Sequence, residues 1–163
     1  MQTRRRLLLG SAALLGTAAL GGCRDGATRD ATFPVSLTPA EWQARLTPEQ
    51  FQVLREHATE PAFSSPLNEI EAAGTFHCAG CDNPLYKSEH KFDSGTGWPS
   101  FTQPVSADAV GTKADYSMVF PRTEVHCARC GGHQGHIFDD GPAPTGMRHC
   151  INGVALRFEA ETA

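Results

Sequence analysis

The chain has no low-complexity stretch and no internal repeat beyond a doubled Cys-x-x-Cys pair. That excludes a solenoid and a polar linker-like polypeptide. Its one apolar run, from residue 7 to residue 22, is too short and too rich in Gly, Ala and Ser to read as a membrane-spanning helix. Basic residues are scarce: Lys and Arg number 14 against 18 Asp and Glu, a formal charge of −4. Arg4, Arg5 and Arg6 all precede the first acidic residue, Asp25, so a chain beginning at Cys23 holds 11 basic and 18 acidic residues, a charge of −7. Such a chain gives no support for binding nucleic acid or an anionic membrane through basic patches. What is present, 163 residues with 16 Gly and 11 Pro, suits a leader plus one loop-rich domain of short strands rather than a helical bundle.

The leader begins Thr3-Arg4-Arg5-Arg6-Leu7-Leu8-Leu9 and continues apolar to Gly22. A positive start followed by an apolar run is a secretory signal, and the paired arginines resemble a twin-arginine signal. Its end, Leu20-Gly21-Gly22-Cys23, resembles a lipobox in which Cys23 would be lipidated; an ordinary cleavage site near a cysteine is the alternative. The reading is an export signal at 1–22, a linker at 23–37 and a domain at 38–160. The product would lie in the periplasm or be anchored to a membrane facing it.

In the body, Thr38-Pro39-Ala40-Glu41 and Thr47-Pro48-Glu49-Gln50 carry the capping-box pattern with proline at the first helical position. Trp42 and Leu46, then Phe51, Leu54 and Ala58, fall at helical spacing, so two short helices would each bury one face. Pro61 to Pro66 closes this region to further helix. Beyond Thr75, short apolar or β-branched stretches alternate with Gly, Pro, Asn and Asp. They predict antiparallel strands near 75–77, 85–87, 117–120, 124–126, 136–138 and 154–158.

Of six cysteines, four form the pairs Cys78-Ala79-Gly80-Cys81 and Cys127-Ala128-Arg129-Cys130. A turn with two intervening residues aims both thiolates at one metal, and two such turns make a closed four-thiolate site, structural rather than catalytic. Gly80 and Gly131-Gly132 would relax the turns. Zinc is the expected ion, with iron the other metal for four thiolates. Disulfides in an oxidising compartment are one alternative. A thioredoxin-type redox pair is another, though no βαβ unit surrounds it. Export in the folded state would let zinc load in the cytoplasm and protect the thiolates afterwards.

Cys150 stands alone in Gly146-Met147-Arg148-His149-Cys150-Ile151-Asn152-Gly153. A buried structural cysteine is the plain reading. Against it, Arg148 and Asn152 would share the Cys150 side of an extended strand, the guanidinium favouring a thiolate and the amide orienting a substrate. His133 and His136, three apart, could be structural or metal-binding; with four thiolates available they are better read as polar partners of Cys150.

The motifs His136-Ile137-Phe138-Asp139-Asp140-Gly141-Pro142, Arg148-His149-Cys150-Ile151-Asn152, Ser94-Gly95-Thr96-Gly97-Trp98-Pro99-Ser100-Phe101 and Thr59-Glu60-Pro61-Ala62-Phe63 together resemble the B-type methionine sulfoxide reductase family. The resemblance runs from about Leu37 to Phe158 and includes both cysteine pairs. It implies a mainly β fold of two small antiparallel sheets with short N-terminal helices, pinned by a structural zinc on Cys78, Cys81, Cys127 and Cys130. It also implies reduction of the R epimer of methionine sulfoxide. Cys150 would attack the sulfoxide sulfur and become a sulfenic acid, while His136 with His133 would protonate the oxygen. Arg148 would favour the thiolate, Asn152 would orient substrate or solvent, and Trp98 would offer an apolar face to the S-methyl group, unless it is simply a core aromatic.

Many members of the family carry a resolving cysteine where this chain has Thr96. Direct reduction by an external thiol, such as a thioredoxin-like protein or a small dithiol, is therefore expected, unless an unlipidated Cys23 reaches the site. The expected substrates are oxidised proteins or methionine sulfoxide itself, and the expected state is a monomer that binds no nucleic acid. Two other functions compete: a zinc-ribbon interaction module without catalysis, and a thiol oxidoreductase of another substrate, such as a peroxidase or disulfide exchanger. Cys150→Ser with no loss of function would favour the first; peroxide consumption without sulfoxide preference would favour the second.

Overall fold

In the computed structural model, residues 32–162 are described. The expected export signal, Cys23 and the expected linker up to residue 31 lie outside them. Helix α1 (Pro39–Arg45) and helix α2 (Pro48–Glu56) start as their sequences dictate. Thr38 and Thr47 accept hydrogen bonds from the backbone N–H of Glu41 and Gln50, whose side chains accept in return from the two cap N–H groups at 2.7 and 3.1 Å. Trp42, Leu46, Val53 and Leu54 form the buried face. Helix α2 stops at His57, which takes a left-handed φ of 58°.

Among the described residues nine strands follow, all paired antiparallel. They are β1 (Gly74–Cys78), β2 (Pro84–Lys87), β3 (Lys91–Phe92), β4 (Ser100–Phe101), β5 (Val110–Asp115), β6 (Arg122–Cys127), β7 (His133–Phe138), β8 (Arg148–Ile151) and β9 (Leu156–Ala160). They make a three-stranded sheet, β2-β1-β9, and a six-stranded sheet, β3-β4-β8-β7-β6-β5. The expected mainly β architecture of two antiparallel sheets with N-terminal helices is therefore the one found.

The aromatic core joins the sheets. Phe101 of β4 stacks on Tyr86 of β2 at 4.3 Å and meets Phe76 of β1 edge-on at 5.0 Å. The Tyr86 hydroxyl bonds His149 Nδ1 of β8 at 3.1 Å, and burial pushes His149 down to about 4.

Three local expectations change. Residues 117–120 form no strand: they are the exposed tip of the β5–β6 hairpin, and the strand is the preceding Val110–Asp115, whose polar, half-exposed residues hide its pairing. The 154–158 strand starts later, because a 3-10 turn (Gly153–Ala155) intervenes. The last residues read as linker are docked: Val35 N–H donates to Arg129 O at 2.9 Å, Phe33 meets His126 edge-on, and Leu37 packs on the core. Phe33, Val35 and Leu37 alternate, a strand-like period in a segment that looks mostly polar. Among the described residues no helix is long and apolar enough to cross a membrane.

Candidate active site and metal centre

Cys150 lies on β8 between two partners, His136 of β7 on one side and Ser100 of β4 on the other. Residues directly opposite across antiparallel strands bring their side chains together on one face. The result is a cavity of about 120 Å³ lined by Cys150, His136, Trp98, Asn152, Phe138 and Arg122, with Thr59 and Gly135 completing it. Gly135 is required by close approach: a Cβ there would sit 2.0 Å from the Cys150 carbonyl oxygen.

The two histidines come together through a bulge. On a regular strand, residues three apart face opposite ways. Here the β6–β7 register slips between Val125 and His126, and the His133 and His136 rings meet edge-to-face at 5.3 Å. Their roles differ. His136 lines the cavity and its Nε2 lies 2.7 Å from Asp115 Oδ2. His133 is buried behind it, its Nδ1 on Glu124 at 3.0 Å and its Nε2 without a partner among the described residues. Burial holds His133 below the usual histidine range, against the pull of Glu124. Glu124 also meets Lys113 at 3.2 Å and His57 at 3.3 Å.

Arg148 and Asn152 are near Cys150, yet both are already engaged. Arg148 makes a two-pronged ion pair with Asp140, both contacts 2.8 Å, and lies over the Phe138 ring at 4.5 Å. Burial pushes the Cys150 thiol up, outweighing the opposing pull of Arg148 and of a hydrogen bond from Thr96. Arg148 thus pulls toward the thiolate, as expected, and the depth of the site pulls harder the other way. Asn152 is committed to backbone. Its Oδ1 accepts from Glu60 N–H at 3.0 Å, and its Nδ2 donates to Gln134 O at 3.0 Å. It therefore holds the cavity wall in place while still lining the cavity.

Glu60, unassigned from sequence, is the hub of that wall. Its carboxylate accepts from Gly153 N–H at 2.6 Å and Val154 N–H at 2.8 Å, just after Cys150, and its carbonyl accepts from Trp98 Nε1 at 3.0 Å. One residue thus fixes both Trp98 and the turn that follows the cysteine strand.

The four remaining cysteines of the described chain converge. Cys78 Sγ lies 3.7 Å from Cys130 Sγ and Cys81 Sγ 3.5 Å from Cys127 Sγ, all four sulfurs lie within 4.8 Å of one another, and all four residues are buried. A disulfide needs sulfurs about 2.0 Å apart. Four sulfurs about 2.3 Å from a central ion stand about 3.8 Å from each other. The spacing fits a tetrahedral metal, and the cluster could hold one. In each knuckle the residue after the second cysteine takes the left-handed conformation, Asp82 at φ 63° and Gly131 at φ 68°. The first turn is therefore relaxed at Asp82 rather than at Gly80, which instead faces Trp42 and Leu54. Gln134 connects the two centres: its Nε2 approaches Cys78 Sγ at 3.5 Å, and its carbonyl accepts from Asn152.

The SelR domain matches residues 46–160. A "Peptide methionine sulfoxide reductase MsrB" of Agrobacterium fabrum is 50% identical over 131 residues, 80% of this chain and 97% of the relative. One of Methanosarcina barkeri is 50% identical over 127 residues, 78% of this chain and 89% of the relative. The chain belongs to the B-type peptide methionine sulfoxide reductase family. A plant member, the chloroplastic "Peptide methionine sulfoxide reductase B1" of Arabidopsis thaliana, is 51% identical over 126 residues, 77% of this chain and 62% of the relative. The family match takes in Cys150, both histidines, Trp98 and all four clustered cysteines.

Proposed function

We propose that this chain reduces the R epimer of methionine sulfoxide, chiefly in polypeptides, by a thiol-dependent cycle through a sulfenic acid on Cys150. The observation that carries the reading is Cys150 facing His136 across β7 and β8, in a cavity walled by Trp98, within a chain of this family. Cys150 is the nucleophile. Asp115 accepts a hydrogen bond from His136 Nε2–H, so the neutral ring presents Nδ1 as an acceptor and the protonated ring presents it as a donor. His136 thus serves both halves of one proton transfer, accepting from the Cys150 thiol and delivering to the sulfoxide oxygen.

The bonds balance without outside protons. Sulfur of Cys150 attacks sulfur of the sulfoxide, the protonated oxygen then passes from that sulfur to Cys150 as the new sulfur–sulfur bond and the S–O bond break, methionine leaves reduced by two electrons, and Cys150 is left as a sulfenic acid. An external thiol then attacks that sulfur, releasing water and forming a mixed disulfide, and a second thiol restores Cys150. Thr96 stands where an internal resolving thiol would be needed, which supports an external donor such as a thioredoxin-like protein. His133 steadies His136 from behind, Trp98 gives the S-methyl group an apolar wall, and Asn152 and Arg148 hold the strand that carries Cys150.

Zinc is the ion we assign to Cys78, Cys81, Cys127 and Cys130, where it would supply folding energy and no open coordination site. The arginine-led leader supports export, and Cys23 supports a lipid anchor.

The test is the zinc-loaded protein with a racemic methionine sulfoxide peptide and dithiothreitol, each epimer followed by chiral chromatography, with Cys150→Ser alongside. Loss of the R epimer alone, abolished in the variant, is expected. Folded protein that consumes neither epimer would sink the reading.

A further inference from the structure

The β5–β6 hairpin ends in a tip that none of this chemistry uses. Tyr116, Met118, Val119 and Phe120 are 75%, 60%, 91% and 79% exposed, a run broken only by Ser117. Single exposed apolar residues are ordinary, but four together mark an interaction surface. Strand pairing does not require them, since β5 and β6 are already closed below the tip, from Val110 opposite Cys127 to Asp115 opposite Arg122.

The base of the tip belongs to the active site. Asp115 accepts from His136 Nε2, and Arg122, ion-paired to Asp115 at 2.8 Å, lines the Cys150 cavity. Arg122 Nε is buried and has no partner among the described residues, leaving one N–H unspent beside the cavity. The cavity itself, about 120 Å³, is far below the roughly 300–1,000 Å³ that encloses a whole ligand. It admits the end of one side chain and leaves the polypeptide bearing it outside, along the rim. The tip springs from Asp115 and Arg122, the pair that closes the hairpin beside that cavity.

We infer that residues 116–120 are a docking surface for substrate polypeptide, gripping apolar side chains that flank the oxidised methionine. The inference rests on the catalytic reading of Cys150 and adds which sulfoxides are preferred. They are those set among Leu, Phe or Val, the neighbours methionine has in a protein core and exposes when that core opens. An anionic lipid surface is the poorer occupant, because the chain from Cys23 carries a charge of −7.

The test uses the zinc-loaded protein and the triple variant Met118→Ser, Val119→Ser, Phe120→Ser. Values of kcat/KM are compared on N-acetylmethionine R-sulfoxide and on two peptides of equal length and charge, the sulfoxide flanked by Leu and Phe in one and by Ser and Thr in the other. The wild type is expected to favour the apolar peptide about tenfold, or about 1.4 kcal/mol, the scale of burying roughly 60 Å² of apolar surface. The variant should lose that preference and keep the small-compound rate within about twofold, which also shows that it is folded. Equal wild-type rates on the two peptides would overturn the docking surface alone. So would a variant slowed alike on all three substrates, because the tip would then act through Asp115 and His136. Tip-dependent flotation with vesicles of phosphatidylcholine and phosphatidylglycerol, without peptide preference, would replace the polypeptide by a lipid surface. A wild type inactive even on the small compound would overturn the catalytic reading and this one with it.

Discussion

Asp115 shows how one residue outside the legible motifs can set the chemistry of one inside them. It accepts from Ser117 N–H at 2.9 Å, from Arg122 at 2.8 Å and from His136 at 2.7 Å. Its bonds to Ser117, then the His136 partner, hold its carboxyl well below the usual carboxylate range, so it is an anion whenever His136 handles a proton. Asp115→Asn would still accept the Nε2 proton but would no longer balance the charge of a protonated ring. Proton-transfer catalysis contributes about 10²–10⁴-fold, and a partial loss, roughly 10–100-fold in kcat with KM nearly unchanged, is expected in steady-state kinetics. An unchanged kcat would remove Asp115 from the mechanism. Sequence alone singled out Cys150, both histidines and the four clustered cysteines, because nucleophiles, imidazoles and knuckles are recognisable by type and spacing, while Trp98 came from the family resemblance. It could not name Asp115, Glu60 or Glu124, ordinary carboxylates 35, 90 and 26 positions from Cys150 whose importance is set by tertiary contact. Nor could it weigh burial against Arg148 at the Cys150 thiol, since both depend on depth in the fold.

At the scale of elements, legibility follows how local the cause is. The capping boxes at Thr38 and Thr47 are satisfied within four residues, so both helices could be read directly. Strand β5 could not, because its residues alternate no apolar face and only the pairing with β6 makes it a strand. The bulge that unites His133 and His136 likewise belongs to two strands at once. The loop between β3 and β4 carries a further consequence. Thr96 hydrogen-bonds to Ser94 at 2.8 Å and also to Cys150, so its Cβ is held near the nucleophile. A cysteine there would stand within reach of the sulfenic acid, whose sulfur forms a disulfide when the two Cβ atoms come within about 3.5–4.5 Å. Thr96→Cys is therefore expected, after one turnover without reductant, to lose two hydrogens by intact mass and carry a 96–150 disulfide, whereas the wild type gains one oxygen. A variant that also ends as the sulfenic acid would show that this loop does not approach Cys150 during the reaction.

Across the described molecule, the two sheets are joined by an aromatic stack and by the cysteine cluster, both within one apolar core. The Tyr86–Phe101 stack, with the Tyr86–His149 hydrogen bond, joins β2 to β4 and β8. The cysteine cluster joins the end of β1, through Cys78 and Cys81, to the end of β6, through Cys127 and Cys130. Helix α2 closes over that cluster, with Leu54 against Gly132 and Arg55 donating to the Cys130 carbonyl at 2.9 Å. Without an ion, four buried sulfurs at 3.5–3.7 Å would have to share protons in a space that disfavours charge. A structural zinc is worth roughly 10–16 kcal/mol in small domains, against a typical total stability of about 5–15 kcal/mol. Loss of the ion is therefore expected to cost the fold and not merely the local turns. Chelation, or Cys127→Ser, should abolish the near-ultraviolet circular dichroism of the aromatic core together with activity, and stoichiometric zinc should restore both in the wild type only. Because Gln134 ties Cys78 to the carbonyl that holds Asn152, activity should fall no later than the core signal as the ion is withdrawn. A metal-free protein that keeps its aromatic signal and its rate would make the cluster a passive set of thiols, and the two sheets would then be held by their apolar contacts alone.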